Sequence, residues 1–112
     1  MSQNAKKELL EIIKNKSLSI KCAEITFGDN YDEENPPAKY SLPVNYNTKE
    51  YDQFIDSLNF NYDSGFGGQL LFGTVWLTDG TWLSRREYDG SEWWNHNVMP
   101  EIPISLLKNT KL

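Results

Sequence analysis

Hydrophobic and polar positions along this chain follow two different periods. Between Asn4 and Lys16, Leu9, Leu10, Ile12 and Ile13 gather on one side of a 3.6-residue repeat, while Lys6, Lys7, Glu11 and Lys14 fall largely elsewhere; this predicts an amphipathic helix over 4–16. From Ser19 to Phe27 the period drops to two. Ile20 and Cys22 share one phase, and Ala23, Ile25 and Phe27 take the other, so the slip at Cys22–Ala23 predicts a bulge or a strand covered on both faces. Cys22 reads as a core residue in either case. Gly28 to Pro37 mixes turn formers with like charges and predicts an exposed acidic loop. Tyr40, Leu42, Val44 and Tyr46 alternate strictly, and Pro43, which removes a backbone donor, puts that strand at a sheet edge. Asn47 with Glu50 three residues on makes a capping box ahead of Tyr51, Phe54, Ile55 and Leu58, predicting a second helix over 48–58.

The remainder reads as an antiparallel meander. Leu70 to Thr78 and Thr81 to Tyr88 flank Asp79-Gly80, and Tyr88 and Ser91 flank Asp89-Gly90, both dipeptides of two-residue hairpin loops. With two-residue turns throughout, Trp76 pairs with Leu83, and Glu87 faces Glu92. One face then carries Val75, Leu77, Trp82 and Trp93, and the other Leu83, Arg85, Trp76 and Trp94, so neither face is simply apolar. The Pro100-Glu101-Ile102-Pro103 tail is expected to cross one sheet surface, followed by a last helical turn over Ser105–Lys108. The fold class is α+β: one domain spanning 1–112, with a twisted antiparallel sheet of four or five strands and both helices on one face.

Composition narrows the chemistry. The 112 residues carry a net charge of −5, distributed as +3 over 1–23, −7 over 24–63 and −1 over 64–112. A net negative domain whose only adjacent strand cations are Arg85 and Arg86 is a poor binder of a phosphate backbone, so direct nucleic-acid binding is not expected. Cys22 is the single cysteine, which excludes an internal disulfide, a zinc ribbon and a redox pair. No run approaches the 18 apolar residues of a membrane span, and no export signal is visible, so a cytoplasmic location is expected.

Catalytic groups are scarce. His96 is the sole side chain with an ordinary pKa near neutrality and has no partner close in sequence, and no G-x-S-x-G occurs. Glu87 opposite Glu92 could share a proton or a cation, but two carboxylates beside a turn are more simply solvated or paired with Arg85. The acidic loop lacks the ligand spacing of an EF-hand, and no metal or cofactor is expected. Gly65-Phe66-Gly67-Gly68 lacks the Lys-Ser/Thr of a P-loop and precedes a strand, so it reads as a shaped loop. Four Trp in so short a chain are the least ordinary feature, because Trp, Tyr and Arg anchor protein interfaces.

The stretch Tyr62-Asp63-Ser64-Gly65-Phe66-Gly67-Gly68-Gln69, Leu71-Phe72-Gly73-Thr74-Val75-Trp76, Asp79-Gly80-Thr81-Trp82, Glu87-Tyr88-Asp89-Gly90-Ser91-Glu92-Trp93-Trp94 and Pro100-Glu101-Ile102-Pro103 resembles a family of small acidic bacteriophage and prophage proteins, with departures at Leu70 and Arg86. The resemblance implies no enzymatic activity. It implies a phage accessory role in the bacterial host cytoplasm, of the kind filled by anti-CRISPR inhibitors that cover a nucleic-acid-binding site on a host defence protein. On that expectation Asp29, Asp32, Glu33, Glu34, Asp52 and Asp56 form an acidic partner-binding surface, and Phe66, Trp76, Trp82, Tyr88, Trp93 and Trp94 supply aromatic recognition. Two alternatives stand beside it: a small-ligand or nucleotide-sequestering protein using the Gly-rich loop and the aromatic sheet, and a homo-oligomeric structural phage protein.

Overall fold

The computed structural model describes residues 2–28, 33–63 and 68–107. It is an α+β fold in which a five-stranded antiparallel sheet carries two helices on one face. The elements are β1 (Ser2–Asn4), α1 (Ala5–Asn15), β2 (Ile20–Phe27), β3 (Ala38–Leu42), α2 (Thr48–Ser57), β4 (Asn61–Asp63), β5 (Leu71–Leu77), β6 (Trp82–Tyr88) and β7 (Ser91–Asn97). The main sheet has the order β3-β2-β5-β6-β7, and β1 pairs with β4 in a separate two-stranded ribbon that the hydrophobic pattern did not predict.

Both helices begin and end where their local chemistry directs. The Asn4 side chain accepts from the Lys7 N–H at 3.0 Å to cap α1. At the other end Ser17 adopts φ +53°, and Ser17 and Leu18 donate to the Lys14 and Ile13 carbonyls, a Schellman closure with serine in the position usually held by glycine. In α2 the capping box is complete: Asn47 Oδ1 accepts from Glu50 N–H at 2.7 Å, and Glu50 Oε1 accepts from Asn47 N–H at 3.1 Å.

Ala5 and Leu9 from α1, and Phe54 and Ile55 from α2, pack with Ala23, Ile25, Leu42, Leu71, Val75 and Leu83 in a single core. Around it Phe27 and Phe60 lie 4.6 Å apart between ring centroids, and Tyr40 stacks on Phe60 at 5.6 Å. Gly73, with φ +148°, sits opposite Ile25, where a Cβ would meet the Glu24 carbonyl oxygen at 2.4 Å; only glycine lets β5 approach β2 this closely.

Three sequence expectations are corrected. The first concerns the β5–β6 turn, which has three residues, not two. Trp76 pairs with Trp82 and Val75 with Leu83, Gly80 N–H donates to Leu77 O, and only Gly80 takes a positive φ, the geometry of a three-residue loop closed by a glycine bulge. The β6–β7 turn is the two-residue kind expected, with both Asp89 and Gly90 at positive φ and Glu87 opposite Glu92. A one-residue register change inverts a strand. Val75 and Leu77 therefore join Leu83 on the helix-covered inner face, and the sheet becomes apolar inside and mixed outside. Second, the β2 irregularity lies between Ile20 and Cys22, so Cys22 pairs with Trp76 on the outer face, half-buried, and is not a core residue. Third, the tail does not cross the sheet. None of residues 98–107 is buried, a short 3-10 turn occupies Ile104–Leu106, and the molecule measures 57 × 36 × 30 Å. Its radius of gyration of 16.8 Å exceeds the roughly 13 Å of a compact chain this long.

Candidate protein-binding surface

Two places concentrate chemistry, one on each side of the sheet. On the inner side Arg85 is almost wholly enclosed, its side chain 2% exposed. Its Nη2 donates to Glu92 Oε1 at 2.7 Å and to the Tyr62 hydroxyl at 2.9 Å, and its guanidinium lies 4.9 Å from the Trp94 ring centroid. Nη1 is 3.1 Å from Glu8 Oε1, an ion-pair distance without hydrogen-bond geometry. Burial alone would lower the Arg85 pKa; the carboxylates of Glu8 and Glu92 outweigh it and hold the guanidinium above its ordinary value. Burial, followed by the hydrogen bond donated to Glu8, pushes the Tyr62 hydroxyl well above the usual phenol range.

Glu92 was expected in water or paired with Arg85, and the structure selects the pairing. Its carboxylate also accepts from the Leu70 and Leu71 N–H groups at 3.0 and 3.1 Å. A protein carboxylate thus already occupies these two backbone donors, which argues against an incoming phosphate at Leu70 and Leu71; Gly65, Phe66 and Gly67 of the Gly-rich segment lie outside the described residues. Glu87, across the turn, stays exposed and accepts from Gly90 N–H. The inner cluster is a structural network in which the cation is matched by carboxylates and the one phenol is held protonated, while Arg85 Nε and Trp94 Nε1 have no hydrogen-bond partner among the described residues.

His96 does acquire neighbours. Thr81 donates its hydroxyl to Asp79 Oδ1 at 2.5 Å and lies 2.8 Å from His96 Nε2. Because a carboxylate only accepts, the Thr81 proton points to Asp79 and His96 Nε2 serves as donor. A base must instead accept the proton of its nucleophile, so His96 is not placed to activate this hydroxyl. The hydrogen bonds from Thr81 hold the Asp79 carboxyl below its usual range. Among the described residues no three His, Cys, Asp or Glu side chains come together as a ligand set, and no helix is long and apolar enough to cross a membrane. A groove of about 550 Å³ beside α1, lined by Lys6, Lys7, Leu10 and Lys14, contains none of the expected site residues.

The outer face is the second place. Strand alternation puts Trp76, Trp82, Arg86, Tyr88 and Trp93 on it, and Trp93 also borders a groove beside α1. Trp76 is 43% exposed, Trp93 41% and Tyr88 77%; Trp82 is half-buried. The polar positions between the rings are already organised: Asn97 Nδ2 donates to Ser84 Oγ at 2.8 Å, and Asn95 Nδ2 donates to Asn97 Oδ1 at 2.7 Å. The amides between the rings are thus already hydrogen-bonded to one another, so contact at this face would not have to order them.

The expected site residues divide accordingly. Trp76, Trp82, Tyr88 and Trp93 come together, but Trp94 is turned inward, 6% exposed beneath Arg85, because it is one residue out of phase with Trp93. Phe66, Asp29 and Asp32 lie outside the described residues. Glu33 and Glu34 are exposed between β2 and β3, and Asp52 and Asp56 are exposed on α2, where Lys6 Nζ meets Asp56 Oδ1 at 3.0 Å. Since α2 covers the inner face, its acids and the aromatic rings lie on opposite sides of the sheet and do not form one surface.

No family model, curated protein or solved structure matches the chain. The assignment of a surface therefore rests on geometry. Of the residues that sequence reasoning missed, Glu8 and Tyr62 have no local signal. Both arginines were expected beside the aromatic set; the structure keeps Arg86 with it and turns Arg85 inward.

Proposed function

We propose that this chain is a non-catalytic binding protein that engages another protein through the outer face of its sheet. The observation that supports this reading is the open array of Trp76, Trp82, Trp93 and Tyr88 around Arg86, residue types that dominate interface energetics. In the phage setting implied by the sequence resemblance, the partner is a host defence protein in the bacterial cytoplasm, and occupation of its nucleic-acid-binding site inhibits it. The acids of α2 then serve solubility and long-range encounter, and the rings make the contact.

The test is affinity capture of the tagged chain from bacterial lysate at low and moderate salt, with mass-spectrometric identification, in three forms. The native chain and Asp52→Lys/Asp56→Lys should recover the same partner, and Trp76→Ala/Trp93→Ala should lose it. Capture that survives loss of both rings and fails on charge reversal would replace the aromatic face with an electrostatic contact.

A further inference from the structure

Exposed large apolar side chains are not scattered over this molecule. Of the ten among the described residues, nine belong to two places: Trp76, Tyr88 and Trp93 on the outer face, and Val98, Met99, Ile102, Ile104, Leu106 and Leu107 on the tail. The chain thus carries an uncovered aromatic face and an uncovered apolar segment joined directly at the end of β7. We propose that the tail docks on the outer face of a second copy, and that the second copy returns its own tail, giving a reciprocally exchanged two-fold dimer. This rests on the reading of the outer face as a protein-binding surface, which the exchanged tail covers in the free protein and a host partner takes over by displacing it.

The backbone leading into the tail favours a second copy over closure within one chain, and its conformation, reach, contact size and charge all fit docking on the outer face. The tail contains Pro100-Glu101-Ile102-Pro103, and Pro103 sits at φ −60°, ψ 144°, the polyproline II conformation. Such segments lie well on exposed Trp and Tyr rings because their backbone is already extended. Folding back in cis would require reversal between Asn97 and Pro100. Met99 precedes a proline and is confined to extended backbone, and Val98 is β-branched, so neither residue suits a tight turn.

Reach is sufficient as well. Ten residues at about 3.1 Å each extend about 31 Å, more than the roughly 19 Å between the outermost strands of a five-stranded sheet. The ten tail residues and about as many outer-face residues per protomer approach the ~20–30 residues a side of a standard interface. Charge agrees too: Glu101 is the one ionisable side chain in residues 98–107, and Arg86 makes no ion pair among the described residues of its own chain.

Sedimentation of the full chain over a concentration series tests this, with two variants at exposed positions whose folding is checked by circular dichroism. A dimer is expected. The tail variant Ile102→Ser/Ile104→Ser and the face variant Trp76→Ala/Trp93→Ala should each weaken it about tenfold or more. An equimolar mixture of the two should associate more tightly than either alone, since the intact tail of one can dock on the intact face of the other. A full chain that stays monomeric at the highest soluble concentration overturns the dimer. If the tail variant then shifts tryptophan emission, the tail docks in cis and the reading of the face survives. A dimer weakened only by the face variant means that the two faces pack directly, and a dimer indifferent to both uses another surface; either result overturns tail exchange. Loss of the face reading itself shows separately, as partner capture insensitive to Trp76→Ala/Trp93→Ala.

Discussion

Strands β6 and β7 place two nearly identical pairs side by side: Arg85 opposite Trp94, and Arg86 opposite Trp93. The first points inward and the second outward, and their surroundings set them apart. Arg85 is enclosed by Trp94, Glu92 and the Glu8 carboxylate of α1, so its charge is matched in a dry environment. Arg86 and Trp93 remain accessible. One arginine–tryptophan unit is thus structural and the other available for contact, and a single step along the strand decides which.

The sharpest way to break this comparison is to remove each cation in turn. Arg85→Met leaves two inner carboxylates uncompensated and should cost about 3–5 kcal/mol, whereas Arg86→Met should stay within about 0.5 kcal/mol, both read by urea unfolding. Trp94→Ala should cost about 3–5 kcal/mol through the cavity it leaves, and Trp93→Ala much less. Next in size, Glu92→Gln keeps one acceptor oxygen for the two N–H groups of Leu70 and Leu71, sets an NH2 against the other and loses the charge facing Arg85; about 1–3 kcal/mol is expected, with faster hydrogen exchange at Leu70 or Leu71.

The smallest effect is a pH dependence. Tyr62 is held protonated in the fold above its ordinary pKa, so the unfolded chain releases this proton first as pH rises. Its stabilising contribution is complete below pH ~10 and falls as pH climbs through the raised value. Tyr62→Phe should flatten that alkaline decline in the unfolding midpoint; an unchanged slope would remove Tyr62 from the inner network.

What could be read in the sequence was local. Both helix starts, the edge position of β3 and the Asp89-Gly90 turn depend on residues within a few positions of one another. The Asp79-Gly80 turn was misread because Asp-Gly suits two loops: as both central residues of a two-residue turn, and as the last two residues of a three-residue loop. That ambiguity carried into the site, since it put Trp82 on the same face as Val75. The inner network was beyond local reading, because Glu8, Tyr62, Arg85 and Glu92 come from four elements. For the outer face the residue types were visible, and the register decided which of them share it.

The three-residue loop from Thr78 to Gly80 also bears on how this chain can change length. A one-residue change there is harmless where the loop absorbs it, as a two- or four-residue connection that leaves the Trp76–Trp82 and Val75–Leu83 pairs in place. If the loop instead keeps three residues and one strand slips, Val75 and Leu77 turn to the solvent or Arg85 and Leu83 turn away from α1. Length variation at this hairpin should therefore be confined to the loop, with the strand pairs on either side held fixed.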